Sequence, residues 1–269
     1  MRIIDSLTIL LLICCVFLIA AVAATIGLGG GVFYVPLFLY LGDFSMKEAV
    51  PLSLFIILGV SSISTLNYYR GHRIEPKTGL YLEVFTLVGA VSGTYMNTFL
   101  SEKLLRVLLA LVLFLTGSRT FLGIAQLDGR LGRSSRTERG TSLIYLSLER
   151  KLVIFMLAFL AGIISGSLGI GGGVLKVPIL VYMIDIPMTV AAGTSELMIM
   201  LTSLGSGLTY YLRGRFELEY AFPFLLAGLA GAYVSTKVSM KWLGSKQLST
   251  IFASFVVLVG LFMLLEIYL

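Results

Sequence analysis

The sequence predicts an all-α, polytopic membrane protein built from two homologous repeats. Three observations lead to this prediction: the composition, a series of long apolar stretches, and a glycine-rich segment that occurs twice. Of the 269 residues, 58% are hydrophobic and only 13% are charged, whereas soluble domains carry about 25% charged residues. Several apolar stretches of roughly 18 residues or more are long enough to cross a bilayer as helices.

The glycine-rich segment reads GLGGGVFYVP at 27–36 and GIGGGVLKVP at 169–178, which is 142 residues later. The same offset pairs Ser53 with Ser195 and Gly89 with Gly231, and after one inserted residue Lys103 aligns with Lys246. We therefore predict a first transmembrane repeat at 1–124, a basic linker at 125–151 and a second transmembrane repeat at 152–269. Internal duplication is typical of secondary transporters, whose sites form between the repeats.

Each repeat contains five apolar segments, and the second of them is only ten or eleven residues long. A helix of that length spans roughly 15 Å, or half of the hydrocarbon core. We expect a half-length helix that begins inside the membrane, at the glycines.

The number of membrane crossings depends on this short helix. If it and the helix before it make one net crossing, each repeat crosses four times, the repeats are parallel, and the chain makes about eight crossings. If they cross twice, each repeat crosses five times and the repeats are inverted; the charges of the loops favour the parallel arrangement. The segments are 6–26, 32–41, 47–69, 78–98 and 103–124, then 152–168, 174–184, 189–212, 219–239 and 247–268.

The two glycine clusters are candidate anion-binding elements. Glycine allows a sharp turn and close approach to backbone N–H groups, because it has no Cβ. Irregular backbone at membrane depth is tolerated only where protein or a wet cavity satisfies it, and the N-terminus of a helix favours anions. Close packing of helices through small residues is the alternative interpretation. The glycines concerned are Gly29, Gly30, Gly31, Gly171, Gly172 and Gly173.

One lysine and one glutamate stand out in apolar surroundings of the second repeat. Lys176 takes the place that Tyr34 has in the first repeat, and Glu196 takes the place of Leu54. A charge at this depth is costly and is expected to have a partner or a function. We predict that Lys176 binds the anion and that Glu196 is its counter-ion in the empty state and the coupling carboxylate. A permanent ion pair, or a lysine that extends to the membrane surface, is the alternative.

Three hydroxyl side chains follow the half-helices and are candidate anion ligands: Ser53, Thr194 and Ser195. Tyr34, within the first half-helix, is also a candidate ligand. Such hydroxyls can instead bond to the carbonyl groups of their own helix. Glu83 lies near the start of its apolar segment and is expected at the membrane interface.

The paired motifs G-[IL]-G-G-G-x(3)-V-P resemble those of the TauE/SafE family of membrane proteins. The second copy also fits the family in Ala191-Ala192-Gly193-Thr194-Ser195, whereas the first reads Ala49-Val50-Pro51-Leu52-Ser53 and keeps only the serine. The resemblance covers essentially the whole chain. It implies a secondary transporter that moves sulfite or an organosulfonate, with export favoured, and it implies that the protein is not an enzyme.

Other functions receive less support from the sequence. An uptake carrier for another sulfur oxyanion such as thiosulfate, or for a small carboxylate, is the first alternative, followed by an anion channel. An intramembrane enzyme would need a nucleophile with a base, or paired carboxylates, at membrane depth. Neither a cofactor nor a metal is expected, because Cys14 and Cys15 are adjacent and no Cys/His ligand spacing occurs.

The basic residues are expected to orient the protein in the plasma membrane of a prokaryote. The net charge of +6 is explained by loops between apolar segments rather than by a nucleic-acid-binding face. We place the 125–151 loop and the N-terminus in the cytoplasm. The expected partners are a small anion and the lipid bilayer, and a homodimer stays open. The basic residues of the loop are Arg130, Arg133, Arg136, Arg139, Arg150 and Lys151.

Overall fold

Helices form the regular secondary structure in the part of the chain that the structure describes, which confirms the all-α prediction. The structure is a computed structural model that describes residues 6–26, 29–130, 146–215, 218–242 and a few positions between 257 and 265. The predicted segment at 247–268 therefore lies mostly outside the described residues. The helices are α1 (Ser6–Ile26), α2 (Gly31–Tyr40), α3 (Met46–Arg70), α4 (Pro76–Phe99), α5 (Glu102–Arg130), α6 (Leu148–Leu168), α7 (Gly173–Pro178), α8 (Met188–Leu212) and α9 (Leu218–Trp242).

Several of these helices have the length and composition of membrane spans, as the sequence predicted. Within the described ranges, α1, α3 and α6 are long and apolar enough to cross a membrane. The start of α3 is fixed by local chemistry, because the backbone N–H and the hydroxyl of Ser45 both donate to the Glu48 carboxylate, at 2.8 and 2.7 Å. A carboxylate at this position satisfies donors that a helix start leaves open.

The two short helices begin at the third glycine of each cluster, as the sequence predicted. Helix α2 has 10 residues, which corresponds to about 15 Å. Helix α7 has 6 residues and continues as a π-helical turn, Ile179–Met183. Pro178 ends α7, and because proline has no N–H to donate, the backbone widens directly after it.

The boundaries of the linker differ from the prediction of 125–151. Helix α5 continues to Arg130, and α6 begins at Leu148. The predicted ends rested on where the apolar residues stop.

Helices from the two halves of the chain pack against one another in matched pairs. Helix α4 packs on α6, α1 packs on α9, and α3 packs on α8. Glycines bring the backbones of α4 and α6 together: a Cβ added to Gly89 would lie 2.1 Å from the Phe159 carbonyl oxygen, and one added to Gly166 would lie 2.0 Å from that of Ala90. Small residues at such positions are what allow membrane helices to pack closely.

We expect Gly89→Ala or Gly166→Ala to destabilise the protein by about 1–3 kcal/mol, because the added methyl group must push two backbones apart. Thermal unfolding of the purified variants in detergent measures this loss. Gly207→Ala is the matched control, because a Cβ at this helical position meets no atom within 4 Å. Stability of Gly89→Ala equal to that of Gly207→Ala would contradict the close packing.

Helices α3 and α8 occupy corresponding positions in the 142-residue alignment and run antiparallel. A Cβ on Gly193, near the start of α8, would lie 2.9 Å from Cβ of Tyr68, near the end of α3. Ile57 and Ile199, close to the midpoints of the two helices, both face Gly29. Helices at corresponding positions of inverted repeats run in opposite directions, as these two helices do.

Candidate functional site

The two glycine turns meet in the middle of the helix bundle. A Cβ added to Gly31 would lie 2.6 Å from the carbonyl carbon of Ile170, so the turn of the first repeat touches that of the second. Gly29 and Gly171 both face Ile57 of α3. The structure therefore brings together two clusters that lie far apart in the sequence.

Both turns have the same unusual backbone conformation. The φ angles are 67° and 79° at Gly29 and Gly30, and 72° and 77° at Gly171 and Gly172. This left-handed region is strained for residues with a Cβ. The sharp turns predicted from the glycines are thus present in both clusters, and the half-helices α2 and α7 start directly after them.

The carboxylate of Glu196 lies on the first turn. Its Oε1 accepts a hydrogen bond from the backbone N–H of Gly29 at 3.2 Å, and the side chain is fully buried. Its Oε2 has no hydrogen-bond partner among the residues that the structure describes. The backbone of the first turn therefore already binds a carboxyl oxygen that comes from α8, in the other half of the chain.

Among the buried hydroxyl groups that make no hydrogen bond within the described part of the chain are those of Tyr34, Ser165 and Ser195. A Cβ on Gly30 would lie 2.9 Å from the Tyr34 ring, and one on Gly172 would lie 3.2 Å from Cβ of Ser165. Each turn therefore has a hydroxyl beside it. Buried polar groups are nearly always paired, so these donors are suited to the oxygens of a bound anion.

Ser165 was not among the candidate ligands of the sequence analysis. It lies on α6, before the glycine cluster, at the position that aligns with Ala23 of the first repeat. A single serine in an apolar helix carries no signal in one sequence. Ser165 lies beside the second turn only because the chain reverses direction at the glycines and brings Gly172 next to α6.

Lys176 is buried in a polar cluster between α4, α7 and α8. Its Nζ lies 3.1 Å from Oε2 of Glu83, and the two side chains are 1% and 4% exposed. Nζ also donates to the hydroxyl of Thr202, and this hydroxyl donates to the other carboxylate oxygen of Glu83. Lysine and glutamate are thus a buried, hydrogen-bonded ion pair that joins the two halves of the chain.

This pair corrects two predictions. Glu83 is not at the interface, and the counter-ion that contacts Lys176 is Glu83 rather than Glu196. Glu83 lies seven residues after the start of α4 at Pro76, which places it about 10 Å along the helix. The distance of Glu83 from the end of its apolar segment is visible in the sequence, and it argues against a position at the membrane interface.

Two of the predicted hydroxyl ligands are engaged with the backbone. The Ser53 hydroxyl donates to the Gly169 carbonyl at 2.7 Å, and the Thr194 hydroxyl donates to the Val190 carbonyl at 2.7 Å. Thr194 also accepts a hydrogen bond from the N–H of Glu75. A hydroxyl has one proton to donate, so both residues hold the fold of the site and neither has a donor left for an anion.

Comparison with known proteins gives a family. The profile described as "Sulfite exporter TauE/SafE" matches residues 12–263. The "Probable membrane transporter protein YunE" of Bacillus subtilis is 26% identical over 236 residues, which are 82% of this chain and 86% of the relative. The "Probable membrane transporter protein MJ0441" of Methanocaldococcus jannaschii is 28% identical over 276 residues, which are 95% of each chain.

A plant protein extends the comparison. The "Sulfite exporter TauE/SafE family protein 6" of Arabidopsis thaliana is 31% identical over 118 residues, which are 44% of this chain and 27% of the relative. No solved structure matches this chain significantly. Because the family profile spans nearly the whole sequence, the chain belongs to the sulfite exporter TauE/SafE family and is a multi-pass membrane protein of a transporter family, not of an enzyme family.

Proposed function

We propose that the protein is a secondary transporter that exports a small anion, sulfite or an organosulfonate, by alternating access at a site between the two glycine turns. One observation carries this proposal: the N–H of Gly29 already holds a carboxylate oxygen of Glu196 at 3.2 Å. The turn therefore donates a backbone hydrogen bond to a carboxyl oxygen at the contact between the two halves. This is where secondary transporters form their sites.

The groups around the turns supply what an oxyanion requires. Backbone N–H groups at Gly29–Gly31 and Gly171–Gly173 point from turns where no Cβ intervenes. The hydroxyls of Tyr34, Ser165 and Ser195 are buried donors with no partner among the described residues. Lys176 adds a positive charge beside the second turn, since a Cβ on Gly172 would lie 3.2 Å from its Cε. The three oxygens of sulfite or of a sulfonate group can use several such donors at once.

A small carboxylate is the second candidate substrate. The group that occupies the first turn is itself a carboxylate, that of Glu196. One oxygen of this planar group is held by the N–H of Gly29, which supports a carboxylate as the alternative substrate.

Flux into proteoliposomes tests the proposed function. The purified protein is reconstituted, and exchange of radiolabelled sulfite is measured in competition with ethanesulfonate, taurine, thiosulfate, sulfate and acetate. We expect saturable sulfite exchange that ethanesulfonate or taurine inhibits more strongly than sulfate does. Stronger inhibition by acetate would favour the carboxylate candidate, and absence of saturable exchange with every anion would refute the proposal.

We infer further that the two repeats are inverted, with five crossings each. The antiparallel course of α3 and α8 supports this arrangement, since inverted repeats need an odd number of crossings per repeat. Helices α1 and α2 then cross separately. If the basic 125–151 loop is cytoplasmic, the N-terminus lies outside, which differs from the cytoplasmic N-terminus expected from charge alone.

Labelling of single cysteines distinguishes the two arrangements. In a protein without Cys14 and Cys15, we expect His72→Cys to be labelled from the cytoplasm and Arg215→Cys to be labelled from outside. Both positions are exposed, and each follows the third helical segment of its repeat, α3 or α8. Labelling of both from the same side in intact cells and inverted vesicles would support parallel repeats and eight crossings. Ser134→Cys, outside the described residues, is expected to be labelled together with His72→Cys.

A further inference from the structure

We propose that Glu83 is the residue that couples anion movement to protons: a proton binds its carboxylate when the transported anion takes its place at Lys176. This inference rests on the proposed function, because it assumes that an anion enters the site. The anion and the proton would then move together in the same direction. No covalent bond other than the O–H bond of the Glu83 carboxyl group forms or breaks.

The position of the ion pair supports a role in transport. Glu83 comes from α4, and its two partners, Lys176 and Thr202, come from α7 and α8. The pair therefore spans the contact between the two halves of the chain, which alternating access must rearrange. Lys176 also lies next to Gly172 of the second turn, so an anion at this turn is within reach of the ammonium group.

Charge balance explains why a proton and an anion would bind together. Both side chains of the pair are almost fully buried, and an unpaired charge at such a position is strongly unfavourable. Without substrate, ionised Glu83 neutralises Lys176. An anion that approaches Lys176 adds a second negative charge, and a proton on Glu83 restores neutrality. The neutral carboxyl group can still donate or accept a hydrogen bond with Thr202.

The corresponding positions in the other half of the chain carry no charge. At the 142-residue offset, Lys176 aligns with Tyr34, Thr202 with Val60 and Glu83 with Leu225. The duplicated fold therefore holds the charged cluster once. A single cluster predicts one proton for each anion rather than two.

Among the described residues, Lys176 is the charged group that acts on Glu83. Helix α6, which packs on α4, brings Gly162 and Gly166 against the backbone of Thr86 and Ala90. Helix α8 carries one further buried carboxylate, that of Glu196, which is bonded to Gly29. The remaining charged residues of these helices lie toward their ends: Lys77, Glu149, Arg150, Lys151 and Arg213.

The test measures how binding of ethanesulfonate depends on pH. This anion stays ionised at all pH values used, so a proton that is taken up on binding must go to the protein. When one proton binds with the anion, the dissociation constant rises about tenfold for each pH unit above the range where the acceptor is protonated. We expect this slope for the wild-type protein in detergent. We expect Glu83→Gln, which mimics the protonated state, to bind without this dependence.

Two variants serve as controls. Glu102→Gln removes a half-exposed carboxylate that pairs with Arg106 and accepts the N–H of Met46, and it should keep both the affinity and the slope. Glu196→Gln is expected to change the affinity, because it alters the group on Gly29, but to keep the slope. A slope that persists in Glu83→Gln overturns the proposal, as does a slope that disappears in Glu196→Gln instead.

Proton uptake by the wild-type protein provides a second readout that does not depend on the variant folding. On adding ethanesulfonate in weakly buffered solution, we expect about one proton to be taken up per anion bound. Binding without proton uptake overturns the role of Glu83 and leaves the proposed transport function standing. If neither ethanesulfonate nor any anion of the flux panel binds, the proposed function fails, and this inference fails with it.

Discussion

Lys176→Met is expected to destabilise the protein by about 3–5 kcal/mol, because it leaves the Glu83 carboxylate buried without its partner. The ammonium group lies 3.1 Å from this carboxylate, and both side chains are almost fully buried. Thermal unfolding of the purified variant in detergent measures the loss. The same variant should not bind ethanesulfonate, since the positive charge beside Gly172 is gone.

Double variants show which carboxylate is the partner. Lys176→Met combined with Glu83→Gln should recover most of the lost stability without recovering anion binding, because no unpaired charge remains. Lys176→Met combined with Glu196→Gln should stay unstable, since Glu196 is bonded to Gly29 and does not contact the lysine side chain as Glu83 does. Recovery with Glu196→Gln and not with Glu83→Gln would contradict the structure of the pair.

Gly30→Val and Gly172→Val are expected to reduce sulfite exchange to about a tenth of the wild-type rate or less. At φ angles of 79° and 77°, a residue with a Cβ costs of the order of 1–3 kcal/mol, and each 1.4 kcal/mol is about tenfold in occupancy. The new atoms would also meet the Tyr34 ring at 2.9 Å in one turn and Lys176 Cε at 3.2 Å in the other. Exchange in proteoliposomes measures the effect.

Gly207→Val is the matched control for these variants, since a side chain at position 207 has open space around it. It should be reconstituted and exchange sulfite as the wild-type protein does. Wild-type exchange by either Gly30→Val or Gly172→Val would contradict anion binding by the backbone of the glycine turns.

The local features of the site could be predicted from the sequence. Glycine clusters and short apolar runs are read from neighbouring residues, so the half-helices α2 and α7 and the turns before them were found. The partners of the charged residues depend on packing between distant helices. Glu83 lies 93 residues from Lys176, and Gly29 lies 167 residues from Glu196. Proximity in the sequence favoured the pairing of Lys176 with Glu196, and the fold pairs both residues elsewhere.

The orientation of one repeat relative to the other could not be decided from the sequence either. Both arrangements keep the same helices and the same alignment, and they differ only in whether α1 and α2 cross separately. The loop charges gave a weak preference for parallel repeats, because Arg213 and Arg215 are opposed by lysines at the far end of the next helix. The contact of Gly193 with Tyr68, a tertiary feature, is what indicates the antiparallel course.

Protection of a cysteine at the site tests most directly whether an anion binds between the glycine turns. Ser165→Cys, in a protein without Cys14 and Cys15, places a thiol beside Gly172 and Lys176. Ser206→Cys is its control, because Ser206 lies on a different helix, α8, and is equally buried. We expect saturating ethanesulfonate to slow modification of Ser165→Cys by a sulfonate-bearing methanethiosulfonate reagent and to leave Ser206→Cys unaffected. Equal rates at Ser165→Cys with and without the anion would contradict a site between the turns.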